Sequence, residues 1–138
     1  MGLQRRTAAA AAILLVLALA TGLLLAAAMT GLVDADPHAV VAAHLNAFLG
    51  CLWLAALAAT LPLVAFGDTG KRRLVWATAI PAYGNWLVTT VKAFVHVAGV
   101  SPTGDHANDA VFAMLSIVVV IPSFAAAIAW AWGLLKAR

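Results

Sequence analysis

The sequence predicts an all-α integral membrane protein: a bundle of four helices with antiparallel neighbours, forming one transmembrane domain over residues 1–138. Three observations lead there. Of the 138 residues, 65% are hydrophobic and only 9% charged, whereas a soluble domain is nearer 45–50% apolar and about 25% charged. The apolar residues fall into four long stretches, each able to supply the roughly 20 residues of a spanning helix. Short polar stretches punctuate them. A fold of this size cannot hide so much apolar surface, so the lipid bilayer is expected to solvate much of it.

The first span is expected at roughly Thr7–Met29, behind Arg5 and Arg6. Arg5-Arg6, an apolar run and Ala26-Ala27-Ala28 also suit a cleavable signal peptide. A signal core is typically about 7–15 residues, and this run is longer, so a retained helix is expected. Gly22, Ala26 and Thr30 recur four apart, a spacing that lets helix backbones approach closely; in an alanine-rich chain it also arises by chance. The second span, roughly Ala39–Phe66, follows the polar stretch Val33–His38 and carries His44, Asn46, Cys51 and Pro62. Gly67–Arg73 leads to the third, roughly Leu74–Val100, with Pro81. Ser101–His106 leads to the fourth, roughly Asn108–Leu135, with Pro122 and a second small-residue ridge, Ala125, Ala129 and Gly133. Each proline removes a backbone donor and can kink its helix, which membrane helices tolerate. Connections this short make consecutive helices antiparallel neighbours.

Charge sets the orientation. Lysine and arginine are retained on the cytoplasmic side. Arg5 and Arg6, then Lys71, Arg72 and Arg73, then Lys136 and Arg138 all fall on one side if both termini are cytoplasmic. The other two connections hold Asp34, Asp36 and Asp105, with Asp109 at the very start of the fourth span, and no basic residue. Only Lys92, within a span, departs from this. The expectation is a multi-pass protein of a bacterial-type inner (cell) membrane. The net charge of +3 belongs to helix ends, so it signals no nucleic-acid partner. One cysteine, Cys51, excludes an intrachain disulfide and any paired-cysteine metal or redox motif.

Polar side chains at membrane depth are costly and usually face protein or a cavity. Asn85, Thr89, Lys92 and His96 stand at i, i+4, i+7 and i+11 in the third span. At about 100° per residue they fall within about 40° of one another. Tyr83 and Trp86 flank the deep end of that stripe. Lys92 can instead snorkel outward and His96 can be interfacial, but Asn85 is too deep for either. In the second span His44 lies just inside the outer end, near the expected level of Lys92 and His96. Asn46 points to nearly the opposite face. Cys51 lies about two turns below His44 and reads as a small packing residue. His44 taken alone also suits an interfacial histidine bonded to a neighbour. No phosphate-binding loop, dinucleotide fingerprint, zinc-protease motif or nucleophile elbow is present. With no glutamate and no aspartate deeper in a span than Asp109 at the start of the fourth, nothing suggests a carboxylate-driven proton pump, a nucleotide or a redox co-substrate.

Ala43-His44-Leu45-Asn46-Ala47-Phe48-Leu49-Gly50 and then Tyr83-Gly84-Asn85-Trp86-Leu87 resemble the hydroxylaminobenzene mutase and styrene oxide isomerase superfamily of small four-helix membrane isomerases. The resemblance runs from His44 to the C-terminus, and the Tyr-x-Asn-Trp-Leu element looks nearer to the mutase branch. It implies a homotrimer that binds haem b between protomers. It matches His44 to the axial iron ligand and Asn85 to the family's asparagine in the third span, with ferric iron acting as a Lewis acid on the substrate oxygen. Two positions depart from the pattern. The family usually has an asparagine six residues after the ligand histidine, where this chain has Gly50; Asn46, a turn earlier on the same face, is a candidate replacement. The epoxide isomerases have a tyrosine four residues after the span-three asparagine, where this chain has Thr89. Tyr83 is a candidate to compensate, although it points elsewhere on the helix, and both Thr89 and Tyr83 count with Asn85 and Asn46 as candidate catalytic residues.

The resulting expectation is a haem-b-dependent isomerase. It would rearrange a small hydrophobic aromatic substrate, an N-hydroxylamine or an epoxide, without net redox change. His44 would hold the iron, Asn85 and Asn46 would bond the substrate, and Lys92 and His96 would meet the haem propionates. Two other classes stay open. One is an electron-transfer cytochrome with His44 and His96, or another outer histidine, on one haem. The other is a small structural or transport subunit with no cofactor.

Overall fold

The computed structural model describes residues 2–136, and no strand occurs among the described residues. Four helices follow one another: α1 (Leu3–Met29), α2 (Pro37–Thr60), α3 (Asp68–Val95) and α4 (His106–Leu135). Arg138, one of the residues used above for orientation, lies outside the described residues.

Local chemistry sets the ends. Asp36 caps α2 by accepting from the His38 N–H at 3.0 Å, and Pro37 takes the first helical position, where its missing donor costs nothing. Pro62 falls in a 3-10 turn, Leu61–Leu63, that closes α2 short of the expected Phe66. α3 starts six residues before the expected Leu74, so Lys71, Arg72 and Arg73 are helical and do not form a loop. It also ends five residues early: His96 adopts a left-handed conformation (φ 52°) as the cap. Asp105 caps α4 through the Asn108 N–H, and buried Asn108 ties the preceding loop together by accepting from Gly99 N and donating to Ser101 O. Within α4, Leu115–Val120 form a wider π turn. It precedes Pro122, whose ring crowds the carbonyl four residues back and whose donor is missing.

α1, α2 with its 3-10 extension (Pro37–Leu63) and α4 are each long and apolar enough to cross a membrane. α3, at 28 residues, is long enough but too polar to join them. Its opening turns carry Asp68, Lys71, Arg72 and Arg73, and Thr78, Asn85, Thr89, Thr90 and Lys92 follow. The sequence therefore overstated the apolarity of one span in four.

Neighbouring helices run antiparallel. At one end the Asp36 N–H donates to Ala93 O, joining the start of α2 to the end of α3; at the other, Ala65 N–H donates to Gly133 O. Three apolar clusters fill the layers between. Ala28, Ala35, Ala39, Val40 and Ala93 lie at the first end; Ala11, Leu14, Ala18, Ala47, Cys51, Leu54 and Ala82 in the middle; Leu57, Leu61, Val64 and Leu74 at the second. The buried face of α1 runs through Thr7, Ala11, Leu14, Ala18, Thr21 and Ala28. This alternation of threes and fours follows the 3.6-residue turn. The expected ridge of fours drifts off that face: Gly22 meets a neighbour, while Ala26 and Thr30 are exposed. In α4 only Gly133 of its ridge is buried, pressed against Val64 and Phe66, and Ala125 is exposed.

Candidate functional site

α2 turns one buried stripe toward its neighbours: Val40, Ala43, Ala47, Gly50, Leu54 and Leu57. His44 lies about 100° to one side of Ala43 and Asn46 about 100° to the other side of Ala47. The two polar residues therefore flank the stripe on opposite sides, as their spacing predicted. Each is half-buried and each meets a different helix.

His44 faces α1. Its Nδ1 stands 2.8 Å from Ala18 O. A carbonyl can only accept, so Nδ1 carries a proton, and in the neutral tautomer with this bond Nε2 is the unprotonated nitrogen. Nε2 has no hydrogen-bond partner among the described residues. Phe48 packs edge-on against the ring at 5.2 Å. On the α1 side the ring fits because residue 22 is glycine: a Cβ there would stand 3.1 Å from Cε1 and 3.4 Å from Nδ1.

Asn46 faces α3. Its Nδ2 donates to Asn85 Oδ1 and to Thr89 Oγ1, both at 3.1 Å, and Thr89 Oγ1 donates to Asn85 Oδ1 at 3.4 Å. Asn46 thereby uses both its donors. Asn85 keeps an NH₂ with no partner among the described residues, available to an oxygen on a bound molecule. Thr89 is buried, whereas the two asparagines are half-exposed.

Next to this cluster, two aromatic side chains reach from α3 to α1. Trp86 Nε1–H donates to Thr21 Oγ1 at 2.9 Å, and the Thr21 hydroxyl proton goes to Leu17 O. Tyr83 O–H donates to Ala10 O at 2.7 Å. Tyr83 is thus held on the α1 side, away from Asn85 and Thr89. Gly50 has no room for a side chain, since a Cβ would lie 2.8 Å from Leu14 Cδ2 and 3.2 Å from Ala82 Cβ. Asn46, one turn earlier, is the amide that reaches Asn85 and Thr89.

The α3 stripe stops at Lys92, because the left-handed His96 leaves the helix. Lys92 Nζ donates to Ala98 O at 3.1 Å, and His96 Nε2 lies 3.3 Å from Asp34 Oδ1. Neither is level with His44, contrary to the sequence expectation. Ala93 is bonded at the level of Asp36, and His44 is eight residues further along α2, about 12 Å deeper. The misjudged depth came from placing the end of α3 too late. His96 therefore does not stand beside His44 within one protomer. Cys51 packs in the middle cluster with Ala47, Leu54 and Ala82.

Among the described residues no group of three or more His, Cys, Asp or Glu side chains stands ready to hold a bare metal ion. A haem asks less of the protein, since the macrocycle supplies four of the iron's ligands. One imidazole with a free Nε2 and its Nδ1–H fixed on a carbonyl is the donor arrangement that iron ligation requires. His44 fits it.

The family model of styrene oxide isomerase matches residues 3–135. The chain belongs to the styrene oxide isomerase family. No curated protein and no solved structure matches it. The family match extends from α1 to the end of α4, beyond the His44-to-C-terminus stretch that carried the resemblance. It brings α1 into the family pattern, and α1 is where the sequence reading missed site residues. Thr21 and the Ala18 carbonyl were not singled out, and Gly22 was read only as part of a ridge. A backbone acceptor leaves no mark in a sequence. Gly22 did leave one, a glycine inside a helix, but its partner becomes visible only once α1 and α2 are in register.

Proposed function

We propose that the chain is a membrane isomerase that rearranges a small aromatic N-hydroxylamine or epoxide without net electron transfer. The match to the styrene oxide isomerase family over residues 3–135 carries this reading. In it all four helices cross the membrane with both termini cytoplasmic, the polar side of α3 being turned toward α2. Ferric haem b, where bound, would supply a Lewis acid for the substrate oxygen.

The remaining work falls to side chains of this chain. His44 would hold the cofactor through Nε2, its ring angle being set by Ala18 O and Gly22. Asn85 offers its unpartnered NH₂ to the substrate oxygen as the N–O or C–O bond weakens. Asn46 and Thr89 fix the orientation of that amide, so no reorganisation is needed as charge develops. Because His44 and the Asn46–Asn85–Thr89 cluster flank α2 on opposite sides, a site using both is assembled between protomers. A cyclic homotrimer provides such an interface three times. The apolar surroundings suit a hydrophobic substrate arriving from the lipid.

The test is an anaerobic assay of the purified protein with phenylhydroxylamine and with styrene oxide, together with its absorption spectrum. Isomer formation without NADH, NADPH or oxygen, and a Soret band, are expected. Stoichiometric consumption of a reductant would overturn the isomerase reading. Pigment-free protein with full activity would overturn the role given to haem.

A further inference from the structure

At the end of the molecule opposite the Asp34 and His96 pair, α1 and α3 part. Further in they are joined by the Tyr83 O–H bond to Ala10 O and the Trp86 bond to Thr21. Toward Arg6, the facing residues are Ala9, Ala10 and Ala79, too small to close the gap. Two overlapping hollows of about 420 Å³ and 450 Å³ result, both lined by Arg6, Ala10, Trp76 and Ala79. Ile13 and Tyr83 line the deep end of one, and Arg72 lines the mouth of the other.

The groove is apolar below and cationic above. Arg6 and Arg72 are exposed and make no ion pair among the described residues, not even with Asp68 one turn before Arg72. Trp76, one turn further in than Arg72, is 62% exposed, as suits an indole beside a membrane–water interface. From Arg6 to Ile13 is about 10 Å along the helix axis. That is most of the roughly 15 Å depth of one leaflet's hydrocarbon.

We propose that this groove binds one anionic phospholipid from the leaflet on the Arg6 side. One acyl chain lies along Ala10, Ala79 and Ile13 down to Tyr83. The phosphodiester stands between the Arg6 and Arg72 guanidinium groups, which form directional hydrogen bonds to phosphate oxygens. Two unpaired cations at the mouth of an apolar slot of this depth complement such a lipid. They do not complement a second copy of this chain, whose same end is also cationic. The inference does not depend on the isomerase reading.

Native mass spectrometry of the detergent-solubilised full chain, titrated with phosphatidylglycerol or phosphatidylcholine, tests it. Phosphatidylglycerol adducts should be retained preferentially. R6Q/R72Q should cut that preference on the order of tenfold. R5Q/R73Q removes two exposed arginines outside the groove and should change it less than twofold. Ala79→Leu fills the slot and should lose adducts with either headgroup. Equal losses for the two arginine pairs would overturn the proposal, since general attraction to the basic end would explain them. An Ala79→Leu chain that keeps its adducts but changes its oligomeric mass would overturn it too, because the occupant would then be another protomer.

Discussion

Replacing Gly22 by alanine separates the support of the His44 ring from the stability of the fold. The new Cβ would stand 3.1 Å from His44 Cε1 and 3.4 Å from Nδ1, inside the roughly 3.5–4.0 Å of an unstrained carbon contact. The ring must move off by a few tenths of an ångström, which stretches its 2.8 Å bond to Ala18 O. Weakening that bond costs about 0.5–1.5 kcal/mol. Against it, alanine in a helix interior is favoured over glycine by about 0.5–1 kcal/mol. The two nearly cancel, so thermal unfolding should move little. Under the proposed function haem binding should respond more strongly: loss of the group that orients a metal-bound histidine typically costs about 10–100-fold in affinity or activity. Soret absorbance per protein, unfolding temperature and turnover are to be measured on the same preparation. Haem occupancy or turnover falling at least about tenfold with a nearly unchanged unfolding temperature is the expected result. Unchanged occupancy and turnover would refute the cradle, and a large fall in unfolding temperature would refute the energetic reasoning.

Further variants address the rest of the site. His44→Ala should lose most haem and all activity, and full occupancy with an unaltered spectrum would assign the ligand elsewhere. Asn85→Ala should keep the Soret band while turnover falls about 10²–10³-fold. Asn46→Ala should approach it, and the double variant should be little worse than Asn85→Ala alone, because bonded groups act as one unit; multiplicative losses would deny the cluster. Gly50→Asn, the residue that the resemblance leads one to expect there, should destabilise the fold by about 1–3 kcal/mol, since Leu14 and Ala82 occupy the space. Orientation is checked in a Cys51→Ala background, by labelling cysteines placed at Thr69 and Thr103 with an impermeant maleimide in intact cells; only the second should react.

Much of this was legible in the sequence because membrane helices announce themselves by composition and their ends by proline, aspartate and charge. The opposite bearing of His44 and Asn46 followed from spacing alone, and the Asn85–Thr89 pairing from a four-residue step. What failed was axial level. Helix period tells which residues share a face but not where a helix stops, and α3 stops at His96 through a left-handed residue that is not glycine. Lys92 and His96 were therefore placed level with His44. The contacts from α1 were hidden for another reason. Thr21 and Gly22 are ordinary helix residues until α2 brings an imidazole to one and α3 an indole close to the other.

The two flanks of α2 are not interchangeable, and that asymmetry bears on assembly. On the His44 flank the neighbour is α1, whose contribution is a carbonyl and a missing side chain. It can hold an imidazole at a fixed angle but offers nothing to a substrate. On the Asn46 flank the neighbour is α3, whose side chains form a hydrogen-bonded cluster with one NH₂ to spare. It offers donors but no ligand for a metal. One protomer cannot turn both flanks to the same point, because they lie about 160° apart around a single helix. Under the proposed function a head-to-tail ring of copies would, each interface bringing the His44 flank of one copy against the Asn46 flank of the next. Under the proposed function, monomeric protein would bind haem weakly and turn over nothing. Mixing inactive His44→Ala chains with inactive Asn85→Ala chains should then restore activity, because some interfaces in a mixed ring carry both intact flanks. No recovery on co-assembly would place both halves of the site within one protomer, against the geometry of α2.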